Sequence, residues 1–247
     1  MSKLFTGVVR DYHYNGQLKS EVFLCNGLKE GDFKSFYDNG QLCEHSFYVN
    51  GKREGEFKSF YENGQLWQIC FCVNDKIEGE YKEFHKNGHL KLHGFYKNSK
   101  KEGECKSYTE NGNLLSKWFY VNGNSEGEYK QFYANGQLYI HCFYVNGMKK
   151  GEYKEFYYNG QLLNRRFYDD DKMNGESKDY YENGQLKSHS FFVNDNWNGV
   201  SKDYYENGQL KWHCFYVNDH LDGESIMYDE NGQVKFKSFY RGGLFVR

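Results

Sequence analysis

From Glu56 to Tyr61 the chain reads Glu-Phe-Lys-Ser-Phe-Tyr, with polar and apolar side chains changing places along the run. A two-residue period of this kind belongs to a β-strand, whose successive side chains point to opposite faces. Asn63-Gly64 follows, one of the strongest short hairpin signals, and Leu66 to Val73 reads as a returning strand. A second turn signal, Val49 to Gly55, again carries Asn and Gly and links one hairpin to the next. The pattern predicts one β-hairpin per unit, approximately G-E-Y-K-x-F-Y-x-N-G-Q-L-x-x-x-x-F-Y-V-N-G-x-x-x.

That unit repeats through the chain. Asn-Gly recurs with Asn at 15, 39, 63, 87, 111, 135, 159, 183, 207 and 231, every interval being 24 residues, so there are ten copies without insertion or deletion. A Phe falls at one phase in all ten, including Phe71 and Phe191, and a Gly at another, including Gly31 and Gly55. The structural positions of the unit are thus Gly55, Asn63, Gly64, Leu66 and Phe71, with Asn183, Gly184, Leu186 and Phe191 their counterparts five repeats on. The array runs from about Gly7 to Val246 and makes 1–247 a single repeat domain with a short apolar tail. The expected fold is all-β: an elongated, twisted, single antiparallel sheet of about ten tandem hairpins. Roughly twenty strands at about 4.8 Å spacing give a length on the order of 95 Å. Strand twist of about 20–25° bends one face into a groove.

The register has two readings. A two-residue type I′ turn at Asn63-Gly64 puts Phe60, Lys58, Glu56 and Phe71 on one face, with Phe57, Tyr61, Leu66 and Cys72 on the other. A three-residue loop with a bulge at Gly shifts the second strand by one and sets Phe71 opposite Gly55. A one-residue slip flips a whole strand, and the sequence leaves both open.

Composition narrows the function classes. Only 38% of the 247 residues are hydrophobic, more than half of that share is aromatic, Pro is absent and Ala134 is the sole alanine. Such a chain makes short strands and glycine turns, not helices around an aliphatic core. A formal charge of −2 supplies no overall field for nucleic acid, which is not expected as a partner. No window approaches 18 apolar residues and the start lacks the apolar segment of a signal peptide, which points to a soluble cytoplasmic or intracellular protein. The seven cysteines, Cys25, Cys43, Cys70, Cys72, Cys105, Cys142 and Cys214, show no pairing pattern and read as free thiols.

The combination of "GE(F/Y)K", "(F/Y)YENGQL" and "FYVNGK" resembles the MORN repeat (membrane occupation and recognition nexus), in particular its 24-residue variant, over essentially the whole chain. The resemblance implies an elongated twisted β-sheet array acting as a scaffold, with binding to phospholipid or protein and frequent self-association, and no enzymatic activity. Similar proteins occur in bacteria, some labelled antitoxin-like, and in large DNA viruses of amoebae, so a viral protein is one reading. Departures from the pattern are Val200 for the usual Glu, Thr109 and Asp229 for an aromatic or His, and the stretch Tyr168 to Gly175.

Several rows of side chains are candidates for function. Lys34, Lys58, Lys82, Lys106, Lys130, Lys154, Lys178 and Lys202 share one phase, about 9.6 Å apart along the sheet, and form an anion-binding stripe unless each pairs with the acid two residues earlier. Acids such as Glu56, Glu80 and Glu128 interleave with them, which favours pairing. Five histidines, His45, His93, His141, His189 and His213, share another phase, but ligands must converge within a few ångströms and this spacing does not provide that; no metal and no cofactor is expected. The aromatic row containing Phe36, Phe60, Phe84, Tyr108, Phe132, Phe156, Tyr180 and Tyr204 reads as structural stacking ahead of a carbohydrate platform. No nucleophile, base and orienter form a singular set. Ile226 and Met227 replace the polar pair of other repeats, and with Leu244, Phe245 and Val246 they mark an end interface, where the tail covers the edge strand or a second copy pairs with it as a homodimer. The leading expectation is a non-catalytic scaffold for protein partners or self-association. The alternatives are peripheral phosphoinositide or anionic-membrane binding through the lysines, and carbohydrate binding on the aromatic surface.

Overall fold

The turn at Asn63-Gly64 combines both readings of the register. In the computed structural model, which describes residues 4–246, the amide of Tyr61 donates to Gln65 O at 2.8 Å and that of Gly64 to Tyr61 O at 2.9 Å. These bonds close a three-residue loop, Glu62-Asn63-Gly64, with Gly64 left-handed at φ 81°. Phe60 therefore pairs with Leu66, as the longer loop requires. Trp67 then bulges out, the register shifts back by one, and Glu56 pairs with Phe71 as the two-residue turn would have placed it. Phe71 thus does not lie opposite Gly55, whose partner is Cys72. Leu66 shares a face with Phe60, not with Phe57, because the bulge intervenes between Leu66 and the rest of its strand. The two-residue turn with both central φ positive occurs at the other end of the unit, for example at Asn74 (50°) and Asp75 (67°).

The chain is all-β, with no helix among the described residues, and its strands are paired antiparallel. The strand count among these residues is 27, not about twenty. The excess comes from the bulge before each repeat glycine, which in six repeats cuts off a two-residue strand such as Lys52–Arg53 from Gly55–Phe60, and from the added tail strand Leu244–Val246. Gly55 sits in that bulge at φ 86°, where an L side chain is strained.

Contacts divide the chain into two compact units, one ending at Asn124 and the next starting at Ser125. In the first, successive strands from Gly7–Tyr12 to Leu114–Val121 pair with their neighbours as an open sheet. In the second the same pattern runs from Gly127–Phe132 to Leu244–Val246. With no second layer, each unit makes its core on one face of the sheet. In the third repeat Phe57, Cys70 and Cys72 are buried, with Ile77 and Tyr81 packed against them. Hydrogen bonds also tie the third repeat to the fourth: the Tyr61 hydroxyl donates to Phe84 O at 2.8 Å, and Asn63 Nδ2 to Lys86 O at 3.2 Å. Asn63 Oδ1 meanwhile accepts from the Gln65 amide at 3.1 Å, so Asn63 serves its own loop and the following one.

Candidate interaction surface

Alternation along these strands places two sets of side chains on opposite faces. Phe57, Ser59, Gln68, Cys70 and Cys72 form the packed face of the third repeat, while Glu56, Lys58, Phe60, Leu66, Ile69 and Phe71 form the other. The second face carries the rows of interest.

Its lysines hold the neighbouring carboxylates. Lys58, Lys82, Lys130, Lys154 and Lys178 reach the Glu two residues earlier at 2.5–2.8 Å, and Lys106 holds Glu104 in the same way. Lys34 and Lys202 make no ion pair among the described residues: Asp32 is taken by His45 at 2.9 Å, and Val200 stands in place of an acid before Lys202. The histidines meet the same acids from the partner strand, with Nε2 of His93, His141 and His189 each 2.9 Å from a carboxylate oxygen of Glu80, Glu128 and Glu176. Arg165 makes the equivalent contact with Glu152 at 2.6 Å. Four of the five histidines thus lie against carboxylates, Val200 standing where His213 would meet one, and no group of three or more His, Cys, Asp or Glu converges among the described residues.

The hydrogen bonds from lysine hold the carboxyls of Glu80, Glu104, Glu128 and Glu176 below the usual glutamate range, with His93, Lys117, His141 and His189 adding to the effect. A carboxyl lowered in the folded state contributes stability at neutral pH and loses it as pH falls below about 4.3, through the lowered values. The groups are mostly solvated, so each contribution is small. The urea midpoint is expected to drop from pH 5 to pH 3, and the triple variant E80Q/E128Q/E176Q to show a shallower drop. Equal slopes would remove these pairs as the cause.

Between the charged rows lies an exposed apolar one. Nine of the ten phenylalanines at the Phe71 phase are exposed, from 37% at Phe191 to 50% at Phe71, and Phe167 is half-buried. Four of the rings lie against the residue two positions earlier: the His93, His141 and His189 rings are 5.0–5.4 Å from those of Phe95, Phe143 and Phe191, and the Arg165 guanidinium is 5.0 Å over Phe167. The valines Val49, Val121, Val145, Val193 and Val217 extend the row toward the turns. The Phe36, Phe60 and Phe84 row is half-buried on this same face.

The packed face carries cations that the sequence pattern did not single out. Lys29 stands 4.1 Å over the Phe33 ring, Arg53 4.9 Å over Phe57, and Lys101 4.9 Å over Tyr120. The signal was a basic residue two positions before the repeat glycine, at Lys29, Arg53, Lys101 and Lys149.

At the end of the second unit, Leu244–Val246 pairs with Phe239, Tyr240 and Arg241 and extends the sheet by a short strand. Leu244 and Phe245 remain 75% and 59% exposed. Ile226 pairs with Lys237 and Met227 with Phe236, so these two point to opposite faces and do not join the tail in one patch.

A row of hairpins that recurs every 24 residues and packs only against its neighbours defines a tandem β-hairpin repeat protein. Ten successive segments, 5–26, 29–50, 53–74, 77–98, 101–122, 125–146, 149–170, 173–194, 197–218 and 221–241, match the MORN repeat variant, and the chain belongs to that family. No curated protein matches the sequence. Among solved structures it is similar to a chain of the crystal structure of TcdB2-TccC3-Cdc42, at 10% identity over 94% of this chain, with a TM-score of 0.22. A chain of the Photorhabdus luminescens Tc holotoxin pore, mutation TccC3-D651A, is similar at 10% identity over 96%, with a TM-score of 0.21. This chain spans 14% and 13% of the length of those two. No helix among the described residues is long and apolar enough to cross a membrane.

Proposed function

We propose that this chain is a non-catalytic scaffold that binds protein partners along its phenylalanine row. The observation that carries the reading is the exposure of one Phe per repeat at a constant phase, beside charges that largely neutralise one another. Repeated, oriented aromatic rings supply contact area at low cost in conformational entropy, which suits a protein interface. The paired lysines count against the phosphoinositide reading, because a headgroup must displace a carboxylate already within 2.8 Å of six of the eight. Co-sedimentation with vesicles containing phosphatidylinositol phosphates, at low and at physiological salt, tests this directly. The scaffold reading expects no retained binding at physiological salt, and strong binding lost only at higher salt would overturn it.

A further inference from the structure

The spacing of the phenylalanine row carries information about what fits it, granted the scaffold reading above. In the first unit Phe23, Phe47, Phe71 and Phe95 are 40%, 44%, 50% and 44% exposed and lie on every second strand. The rows run straight across the strands, as the partner series Glu21, Lys34, His45, Lys58, Ile69, Lys82, His93 shows. Two strand spacings are about 9.6 Å. A polyproline II helix has three residues per turn at about 3.1 Å each, so its one face repeats every 9.3 Å or so. The two periods differ by about 0.3 Å. An α-helix or β-strand laid along the row has no comparable match, since about 9.6 Å falls between whole turns of about 5.4 Å and between same-face residues about 6.8 Å apart.

Carboxylates border the row on both sides. Glu56 and Glu80 lie on one side, bound to Lys58 and Lys82. On the other, Glu30, Glu54, Glu78 and Glu102 accept the amides of Asn50, Asn74, Asn98 and Asn122 at 2.8–2.9 Å. None of these four has a cationic partner among the described residues, and Lys52, Lys76 and Lys100, nearer the turns, pair with none of them. Beside Phe71 the surface also opens into a recess of about 420 Å³ walled by Leu66, Ile69 and Phe84, where Ile69 replaces the His of other repeats. The recess is large enough for a proline ring or a leucine side chain.

We infer that the Phe47, Phe71 and Phe95 surface of the first unit binds a basic, proline-rich segment of a partner protein in the polyproline II conformation. Prolines at every third position rest on successive rings, and the cations between them face Glu54, Glu78 and Glu102. Strand twist of about 20–25° per neighbour limits a straight rod to two or three rings, hence to a motif of roughly seven residues.

The test is fluorescence anisotropy of a labelled (Lys-Pro-Pro)4 peptide titrated with the full chain. Saturable binding is expected, weakened at least about tenfold by F71A and about threefold by E54Q/E78Q. The Gln pair can still accept the turn amides, so it separates lost charge from a lost fold, and circular dichroism checks both variants. (Lys-Gly-Gly)4, of equal charge but flexible, is expected to bind at least about tenfold more weakly, because it loses the preformed helix. No saturable binding, equal binding of the glycine peptide, indifference to F71A, or preference for an amphipathic helical peptide of the same charge would each overturn the inference. If a protein still crosslinks from position 71 while the proline peptide fails, the occupant is wrong and the scaffold reading stands.

Discussion

Replacing Phe57 by Ala is expected to lower the unfolding free energy by about 3 kcal/mol, at the lower end for a buried phenylalanine because a single-layer sheet can partly collapse around the gap. Phe57 is 8% exposed, packs with Cys70 and Cys72, and lies beneath the Arg53 guanidinium at 4.9 Å. Phe71, one strand away on the other face, is 50% exposed, and F71A is expected to cost about 1 kcal/mol or less. Urea denaturation followed by circular dichroism measures both. Two identical side chains in one repeat then separate the face that holds the sheet together from the face left for a partner. Equal losses would contradict the assignment of faces.

A second large effect concerns Gly94, whose backbone φ is ordinary and whose freedom of conformation is not at issue. A Cβ added there would stand 2.9 Å from the sulfur of Cys105, which is 2% exposed and cannot swing away into solvent. G94A is therefore expected to cost about 1–3 kcal/mol through overpacking. C105A in the same chain removes the sulfur, and the double variant is expected to be more stable than the sum of the two single changes by at least about 1 kcal/mol. Additive effects in this double-mutant cycle would show that the contact does not decide the residue at 94.

How far the sequence reveals this molecule depends on whether a feature recurs. The hairpin unit is legible because Asn63-Gly64, Gly55 and Phe71 return at one phase ten times. The register is not, because the three-residue loop and the bulge at Trp67 shift it in opposite directions, and position 67 is variable: Trp67, Lys91 and Leu115 all occupy it. A bulge is a backbone event that these side chains do not announce. The lysine-to-glutamate pairs are legible, since residues two apart share a strand face whatever the register. The histidine contacts with the same carboxylates cross between strands, so they become visible only once Glu80 is known to stand opposite Phe95 and beside His93. The exposure of the phenylalanine row was hidden for the same reason: a Phe in a strand reads as core until the face it occupies is fixed.

The packed face explains the composition. In place of aliphatic side chains it uses Cys142 and Cys214, at 2% and 0% exposure, and small buried hydroxyls such as Ser46 and Ser201, with tyrosine and phenylalanine rings leaning over them. Burial pushes the Cys142 and Cys214 thiols up to about 11, which keeps them protonated and unreactive at neutral pH. These thiols therefore serve as small apolar fillers.

The most direct test of the central claim, that the phenylalanine row is where partners bind, is site-specific photo-crosslinking in cells that make this protein. A benzoylphenylalanine is placed at Phe71, at Phe191, or at Glu62 in an exposed turn as the control. The account predicts discrete protein adducts from positions 71 and 191 and none from 62. Adducts of equal yield from all three positions, or lipid adducts alone, would contradict it.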